Sequence, residues 1–505
     1  MSKQKAHTWI KDNREYIFIG GCFIFFIFTM LYNLMHSALW GDEWIEYLIS
    51  QTEIRTGKFY RDVISTFQPP LYNFLMHFWL KMDNSVLWFR SFNVVIGFLS
   101  GVCLFGTVNR LTNKYVAGVS VCVLATAYEW VYCIQECSEY ALMLFCLFVA
   151  VYAYVEVCEK FAYWKMVILI LGCVGAVYSQ YGSAFVVIPL LGFFYLHNMF
   201  SEESCRSRKI VINVSYVISL IIFAIPLYTF FMSKQMENNQ IAGHILPFSI
   251  ECCKEILIKL GQIIGYFFQQ TTGVWAWFWS AFGIALIIIS VVLVFKKTIN
   301  WTRLSLIFSM WFAYILHYFL VQLHIYAMAH ANQSSGFFCR YSYFYIPLLC
   351  VVIPVCCYEI FKVASKSMKT LMVALGTVGA ICMCVSLHSL LGNWHKSLDD
   401  VYAQIWIDER GWEDTTYLFG TAIHGFKYYV SQNEAYQDGY LENATMDVDM
   451  DYLPERFWAW RTNWNGDGWN LIVEKARELG YEVVIYDDSG YTGQLAHCVL
   501  RVEQE

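Results

Sequence analysis

Two adjacent carboxylates, Asp42 and Glu43, stand in the stretch NLMHSALWGDEWIEYLIS (residues 33–50), just beyond an apolar run and between Trp40 and Trp44. Adjacent acids can act as a general base, hold a divalent cation, or simply favour the positive end of a helix. The residues alone leave these open, although Glu46 would share a helix face with Asp42 at i+4. Further acids recur in AYEWVYCIQECSEYALM, where Glu129, Glu136 and Glu139 sit between apolar segments and Glu129 lies well inside one. Carboxylates at membrane depth usually face a polar cavity. Arg340, in GFFCRYSYFYIP, offers a planar cation suited to a phosphate, and an Arg at the start of a span also anchors to headgroups. His317 and Gln322 near the end of the preceding segment would extend a polar wall there.

These residues need a scaffold, and the composition says which kind. Of 505 residues 58% are hydrophobic and 15% charged, and apolar runs near 20 residues recur along the chain, as membrane spans do. Without water at mid-bilayer the backbone there must be helical, since the period-two alternation of a β-barrel is missing. The run near 16–35 follows Lys3, Lys5, Lys11 and Arg14 and ends without a small-residue cleavage site, so it reads as an uncleaved first helix.

Loop charges order the spans. Basic residues favour the cytoplasmic side, and the N-terminus and loops 109–114, 159–165, 205–209, 295–303 and 361–369 are basic. The alternate loops 36–68, 134–139, 178–182, 232–274 and 326–339 are poor in Lys and Arg. Eleven helices result, near 16–35, 88–108, 116–133, 139–157, 164–180, 183–199, 210–231, 275–295, 303–325, 341–361 and 370–391. The count rises to 12 or 13 if short runs also cross. The segment 69–82 is too short to span and is expected to lie at the outer interface, and 255–270 is a second short run.

From Gly392 onward 21 Asp and Glu stand against 8 Lys and Arg. The expected organisation is therefore a transmembrane module over 1–391 and an acidic extracytoplasmic domain over 392–505. Strand-like 415–419 and 481–487 alternate with helix-like 425–432 and 469–480 in the latter, as in a small α/β domain. Trp458, Trp460, Trp464 and Trp469 suit either sugar stacking or packing at the membrane interface. Asp447, Asp449 and Asp451 lack the glycine and terminal Glu of a calcium loop, and Asn443 begins a sequon-like NAT. Most of the 18 Cys lie in apolar segments, where they act as small hydrophobes, and Cys133/Cys137 have helical spacing. No Walker loop or dinucleotide fingerprint is present, so an activated substrate would arrive in the lipid phase, and no nucleic-acid partner is expected.

Taken in order, several short motifs resemble the GT-C glycosyltransferases, in particular the protein O-mannosyltransferase and aminoarabinose-transferase group. They are Trp40-Gly41-Asp42-Glu43, Pro69-Pro70-Leu71-Tyr72, Tyr132 with Gln135-Glu136 and Tyr140-Ala141-Leu142, Tyr178 with Tyr181-Gly182, and Arg340-Tyr341 with Pro347. They extend over about 300 residues. The resemblance implies a polyprenyl-phosphate sugar donor and an extracytoplasmic acceptor, whether protein, lipid or wall glycan, at the plasma (inner) membrane. Asp42 would be the base and Glu43 would assist it. Both could hold a divalent metal where one is used, no other cofactor being implied. Arg340, Tyr341, Glu136, Tyr140, Gln68, Tyr72, Gln180 and Tyr181 would line the donor and acceptor site. The chain departs from the group at Ser138, where Arg is usual, and at Gln68 and Gln180, where His is usual, which leaves Arg340 a larger share of the donor phosphate. A flippase for a lipid-linked glycan and a non-catalytic glycan-binding relative are the alternative readings.

Overall fold

The computed structural model describes residues 3–505 except 33, 35–37, 67, 202–203, 238–260, 262, 270–272, 296–298, 323–339, 393–396, 421, 438, 463–465, 487–492 and 502–505. The chain divides into two compact units. One comprises 1–32, 52–84 and 88–391, and the other 33–51, 85–87 and 392–505. The segment 33–51, grouped by sequence with the transmembrane module, thus belongs with the C-terminal residues.

Among the described residues nine helices of the first unit are long and apolar enough to cross a membrane: Asn13–Leu31, Val86–Leu111, Glu139–Glu159, Tyr181–Phe200, Arg206–Met236, Gly273–Phe295, Trp301–Leu320, Ser342–Val363 and Lys366–Leu391. The pair Lys114–Thr126 and Tyr128–Gln135, bent by 69° at Ala127, makes a tenth, and the 17-residue Tyr163–Ser179 corresponds to the eleventh expected from sequence. Segment 69–82 holds a nine-residue helix, Leu71–Trp79, too short to cross, and half of 255–270 lies outside the described residues.

Irregular backbone inside such a bundle is tolerated only where its polar groups are paired. At the bend, the Thr126 carbonyl accepts the Ser386 hydroxyl. In Arg206–Met236 the turns at Leu220–Ala224 and Tyr228–Met232, flanking Pro226, widen to i→i+5 bonding, a common local response near proline. There the Phe223 carbonyl accepts the Tyr178 hydroxyl at 2.7 Å and the Phe230 carbonyl that of Tyr60 at 2.6 Å.

Ion pairs sort the helix ends. Arg110 and Lys165 meet Glu156 at 2.8 and 2.7 Å, and Arg303 and Lys362 meet Glu359 at 2.9 and 3.2 Å. Arg303 also donates to the Leu111 carbonyl at 2.6 Å, and Glu15 pairs with Lys114. The basic loops expected on one side therefore gather at one end of the bundle. At the other end Gln135 Nε2 donates to the carbonyls of Met30 and Tyr32 at 3.0 and 2.7 Å.

The C-terminal unit is a five-stranded sheet of β1 (Thr415–Gly420), β2 (Ala444–Thr445), β3 (Arg456–Thr462), β4 (Tyr481–Tyr486) and β5 (Gly493–Leu500), in the order β2-β1-β3-β5-β4. β1 runs parallel to β2 and β3, and β5 pairs antiparallel with β3 and β4. The strict alternation of β3 feeds two cores. Trp458 and Trp460 pack with Asp399–Asp408 and Ala422–Gln432 on one face, Phe457 and Ala459 with Gly466–Glu478 on the other. Trp458, Trp460 and Trp469 are thus core residues rather than sugar platforms, and Trp464 lies outside the described residues.

Asp399 is the acid inside this core. Its Oδ1 accepts the Trp460 indole N–H at 3.0 Å, and a Cβ on Gly425 would come within 2.2 Å of its Oδ2. Burial pushes its carboxyl from 3.8 up to about 8. A folded-state pKa above the unfolded one means the folded unit holds the proton more tightly. Its stability is then greatest below the unfolded value and falls as pH rises toward the folded one, by up to about 1.4 kcal/mol per pH unit. Amide-exchange protection of β1 and β3, corrected for intrinsic rates, is expected to decline between about pH 5 and pH 8, and Asp399→Asn to flatten that decline. An unchanged slope in the variant would show that Asp399 is not its source.

Candidate active site

The first unit builds its site around the turn between Tyr128–Gln135 and Glu139–Glu159. Glu136 leaves the helix in extended conformation, and its carbonyl accepts both the Asn93 side-chain amide and the Ser138 N–H, the latter at 2.9 Å. Ser138 then occupies the N-cap of the next helix. The Glu136 carboxylate, 1% exposed, lies 3.7 Å from the Arg340 guanidinium, which is 25% exposed. Arg340 lies 5.9 Å over the Tyr140 ring. Tyr140 meets Tyr343 edge-on at 5.4 Å, and Tyr343 donates its hydroxyl to Glu129. The resemblance puts Glu136, Tyr140 and Arg340 at the donor and acceptor site, and the structure links these three in one chain of contacts that continues through Tyr343 to Glu129.

A second cluster joins three segments. Tyr181 donates to Gln235 Oε1 at 2.6 Å, and Gln235 Nε2 donates to the carbonyls of Val63 and Gln68 at 3.0 and 2.8 Å. Tyr181 and Gln68, both expected in the site, are thus bridged by a residue that sequence reading missed. Gln235 lies in SKQMENNQ, which reads as a polar loop, and its 1% exposure becomes visible only in the fold. Asn93 was missed for a similar reason, as one amide in an otherwise apolar span. Tyr72 is fully buried against Phe92, and Gln180, 8% exposed, ends the helix Tyr163–Ser179. His317 is a packed core residue, with Nδ1 2.8 Å from the Tyr345 hydroxyl and its ring stacked on Phe185. The side chains of Tyr341 and Gln322 lie outside the described residues.

Asp42 and Glu43 belong to the other unit, in the helix Gly41–Gln51. Glu43 is fully buried, and its Oε2 accepts the Trp40 N–H at 3.1 Å. Trp40 precedes the first helical residue, so this is the arm of a capping box in which the third residue turns back to the N-cap amide. Asp42, one residue nearer the helix start, is half-buried. Among the described residues no three His, Cys, Asp or Glu side chains converge as metal ligands. Asp42 and Glu43, the two carboxylates expected to be able to hold a divalent ion, stand side by side in the first turn, and one Glu43 oxygen accepts the Trp40 N–H. Asp447, Asp449 and Asp451 form an exposed turn in which Asp449 Oδ1 accepts the Asp451 N–H, and the Asn443 side chain donates to the Trp412 carbonyl at 3.0 Å.

The model of the dolichyl-phosphate-mannose-protein mannosyltransferase family matches residues 67–228. ArnT from Cupriavidus metallidurans, solved bound to undecaprenyl phosphate, superposes with a TM-score of 0.52 at 12% identity, covering 95% of this chain and 97% of that one. The archaeal oligosaccharyltransferase AglB from Archaeoglobus fulgidus, solved with an inhibitory peptide and a dolichol-phosphate, gives a TM-score of 0.43 at 11% identity over 95% of this chain and 74% of that one. No curated protein matches the chain in sequence. The matched segment holds the PPLY, QE and YALM motifs, and the fold is that of ArnT. The chain is a multi-pass membrane protein whose residues 67–228 match the mannosyltransferase family model and whose fold is like that of ArnT.

Proposed function

We propose that the protein transfers a sugar from a polyprenyl-phosphate donor to an acceptor outside the cytoplasm, with inversion at the anomeric carbon. The observation that carries this reading is the seat of Arg340. A guanidinium held on one side by a buried carboxylate and backed by an aromatic ring is oriented before any ligand arrives, which lowers the cost of binding a phosphate in a fixed geometry. The family match and the ArnT-like fold support a lipid-borne donor, and the chain's lack of a nucleotide fingerprint agrees with it.

In this reaction the acceptor hydroxyl or amine attacks the anomeric carbon opposite the phosphate. The new bond forms as the bond from that carbon to the phosphate oxygen breaks, and the bonding pair leaves with polyprenyl phosphate. Arg340 stabilises the charge that gathers on the departing phosphate, whose low basicity makes a general acid unnecessary. Asp42 takes the proton from the attacking group. Glu43 supports it by holding the first turn of the helix. The N-terminus and the basic loops are cytoplasmic on this reading, and the C-terminal unit is extracytoplasmic.

Transfer from a purified polyprenyl-phosphate sugar, followed by release of polyprenyl phosphate, tests the roles. Asp42→Asn is expected to lower kcat by about 10²–10⁴-fold with the thermal transition unchanged, and full activity would remove Asp42 from the mechanism. Arg340→Ala is expected to lower kcat by about 10²–10³-fold, and Arg340→Lys to recover only part of it because the ammonium lacks the planar fork. Glu43→Gln keeps an oxygen for the Trp40 amide and is expected to retain most activity. Glu43→Ala loses the cap, about 1 kcal/mol of helix stability, and activity with it. Lipid movement between leaflets without any transfer would favour a flippase.

A further inference from the structure

The helix Gly41–Gln51 has 11 residues, below the length at which helices hold themselves in water. Its order and orientation must come from what it packs against. Trp44 and Tyr47, one turn apart, meet edge-on at 5.6 Å. Both face a second aromatic pair, Tyr428 and Tyr429, on the helix Ala422–Gln432 of the same compact unit. Trp44 lies 5.4 Å from Tyr428 and 6.1 Å from Tyr429, and Tyr47 lies 6.2 Å from Tyr428, all at steep interplanar angles. The backbone approach is fixed as well, because the Leu39 N–H donates to the Tyr429 hydroxyl at 2.8 Å. Trp44 is 2% exposed and Leu39 fully buried.

Asp42 lies between these two anchors, three residues after the hydrogen-bonded Leu39 and two before the enclosed Trp44. Edge-to-face rings restrict rotation of the helix about its axis, and the Tyr429 bond restricts where its first turn begins. We infer that Tyr428 and Tyr429 are positioning residues for the transfer reaction, an aromatic clasp through which the C-terminal unit sets the orientation of the Asp42 carboxylate. The inference rests on the proposed role of Asp42. It gives residues 392–505 a part in the chemistry without requiring them to touch either substrate.

The test pairs kinetics with amide exchange on the full-length protein in detergent or nanodiscs. Tyr428→Ala combined with Tyr429→Ala is expected to lower kcat by about 10²-fold, the size of effect that a small misplacement of a catalytic group produces, with KM for the donor little changed. Exchange at residues 38–51 should rise while β1 and β3 keep their protection. Tyr429→Phe, which removes only the oxygen bonded to Leu39, should lose activity several-fold and raise exchange at Leu39. Tyr428→Phe keeps the ring and should restore near-native turnover, and Tyr452→Ala, at an exposed tyrosine elsewhere in the unit, should change nothing. Unchanged exchange at 38–51 in the double variant overturns the clasp. A fall in kcat accompanied by loss of protection across the sheet reduces the pair to a structural role and also overturns it. Native protein that transfers no sugar from any polyprenyl-phosphate donor defeats the proposed function itself, a result the exchange data do not mimic.

Discussion

The turn at Glu136 is the point on which the first unit's site depends. Its carbonyl is held by Asn93 from one span, the neighbouring Gln135 ties two carbonyls at the end of the first helix, and its carboxylate meets Arg340 at the start of another span. Four stretches distant in sequence are thereby fixed around one buried acid. A carboxylate so placed is costly unless paired, and the cation that pairs it is the one proposed to hold the donor phosphate. The requirement to neutralise Glu136 and the requirement to orient Arg340 are met by one contact.

The membrane as solvent explains why charge collects where it does. Apolar helix midsections leave charged side chains to gather at helix ends. At one end Glu156 and Glu359 each collect two basic partners. At the other, Arg340 meets Glu136 beside the acids and hydrogen-bonding groups of the 135–140 turn. The same solvent constraint governs the backbone. The bend at Ala127 and the widened turns around Pro226 persist because hydroxyls from Ser386, Tyr178 and Tyr60 satisfy carbonyls there. A polar residue in a span of this chain is often a repair of its neighbour's backbone.

Much of this was legible in the sequence, because spans and their alternation follow from hydropathy and loop charge, which are local. All eleven expected helices correspond to helices in the structure, one of them broken at Ala127. What the sequence hid was non-local. Gln235 and Asn93 look unremarkable until their partners are known. Trp458 and Trp460, open by sequence between sugar stacking and packing at the membrane interface, are instead core residues on one face of a central strand. The two first-loop acids separate only through geometry, since Glu43 turns back to the Trp40 amide while Asp42 does not share that bond. The helix that carries them belongs to the compact unit of the C-terminal residues, which segment order alone does not suggest.

The chemistry assigned to the protein is a displacement with one base, one cation at the leaving phosphate, and no covalent intermediate. Such a displacement leaves a stereochemical record that is independent of which residues perform it. Proton NMR of the transferred sugar, made by the purified protein from a polyprenyl-phosphate donor of known anomeric configuration, is the most direct measurement. The mechanism requires the product anomer to be opposite to that of the donor. Retention of the donor's configuration would contradict it, and would call for a covalent intermediate in place of direct displacement.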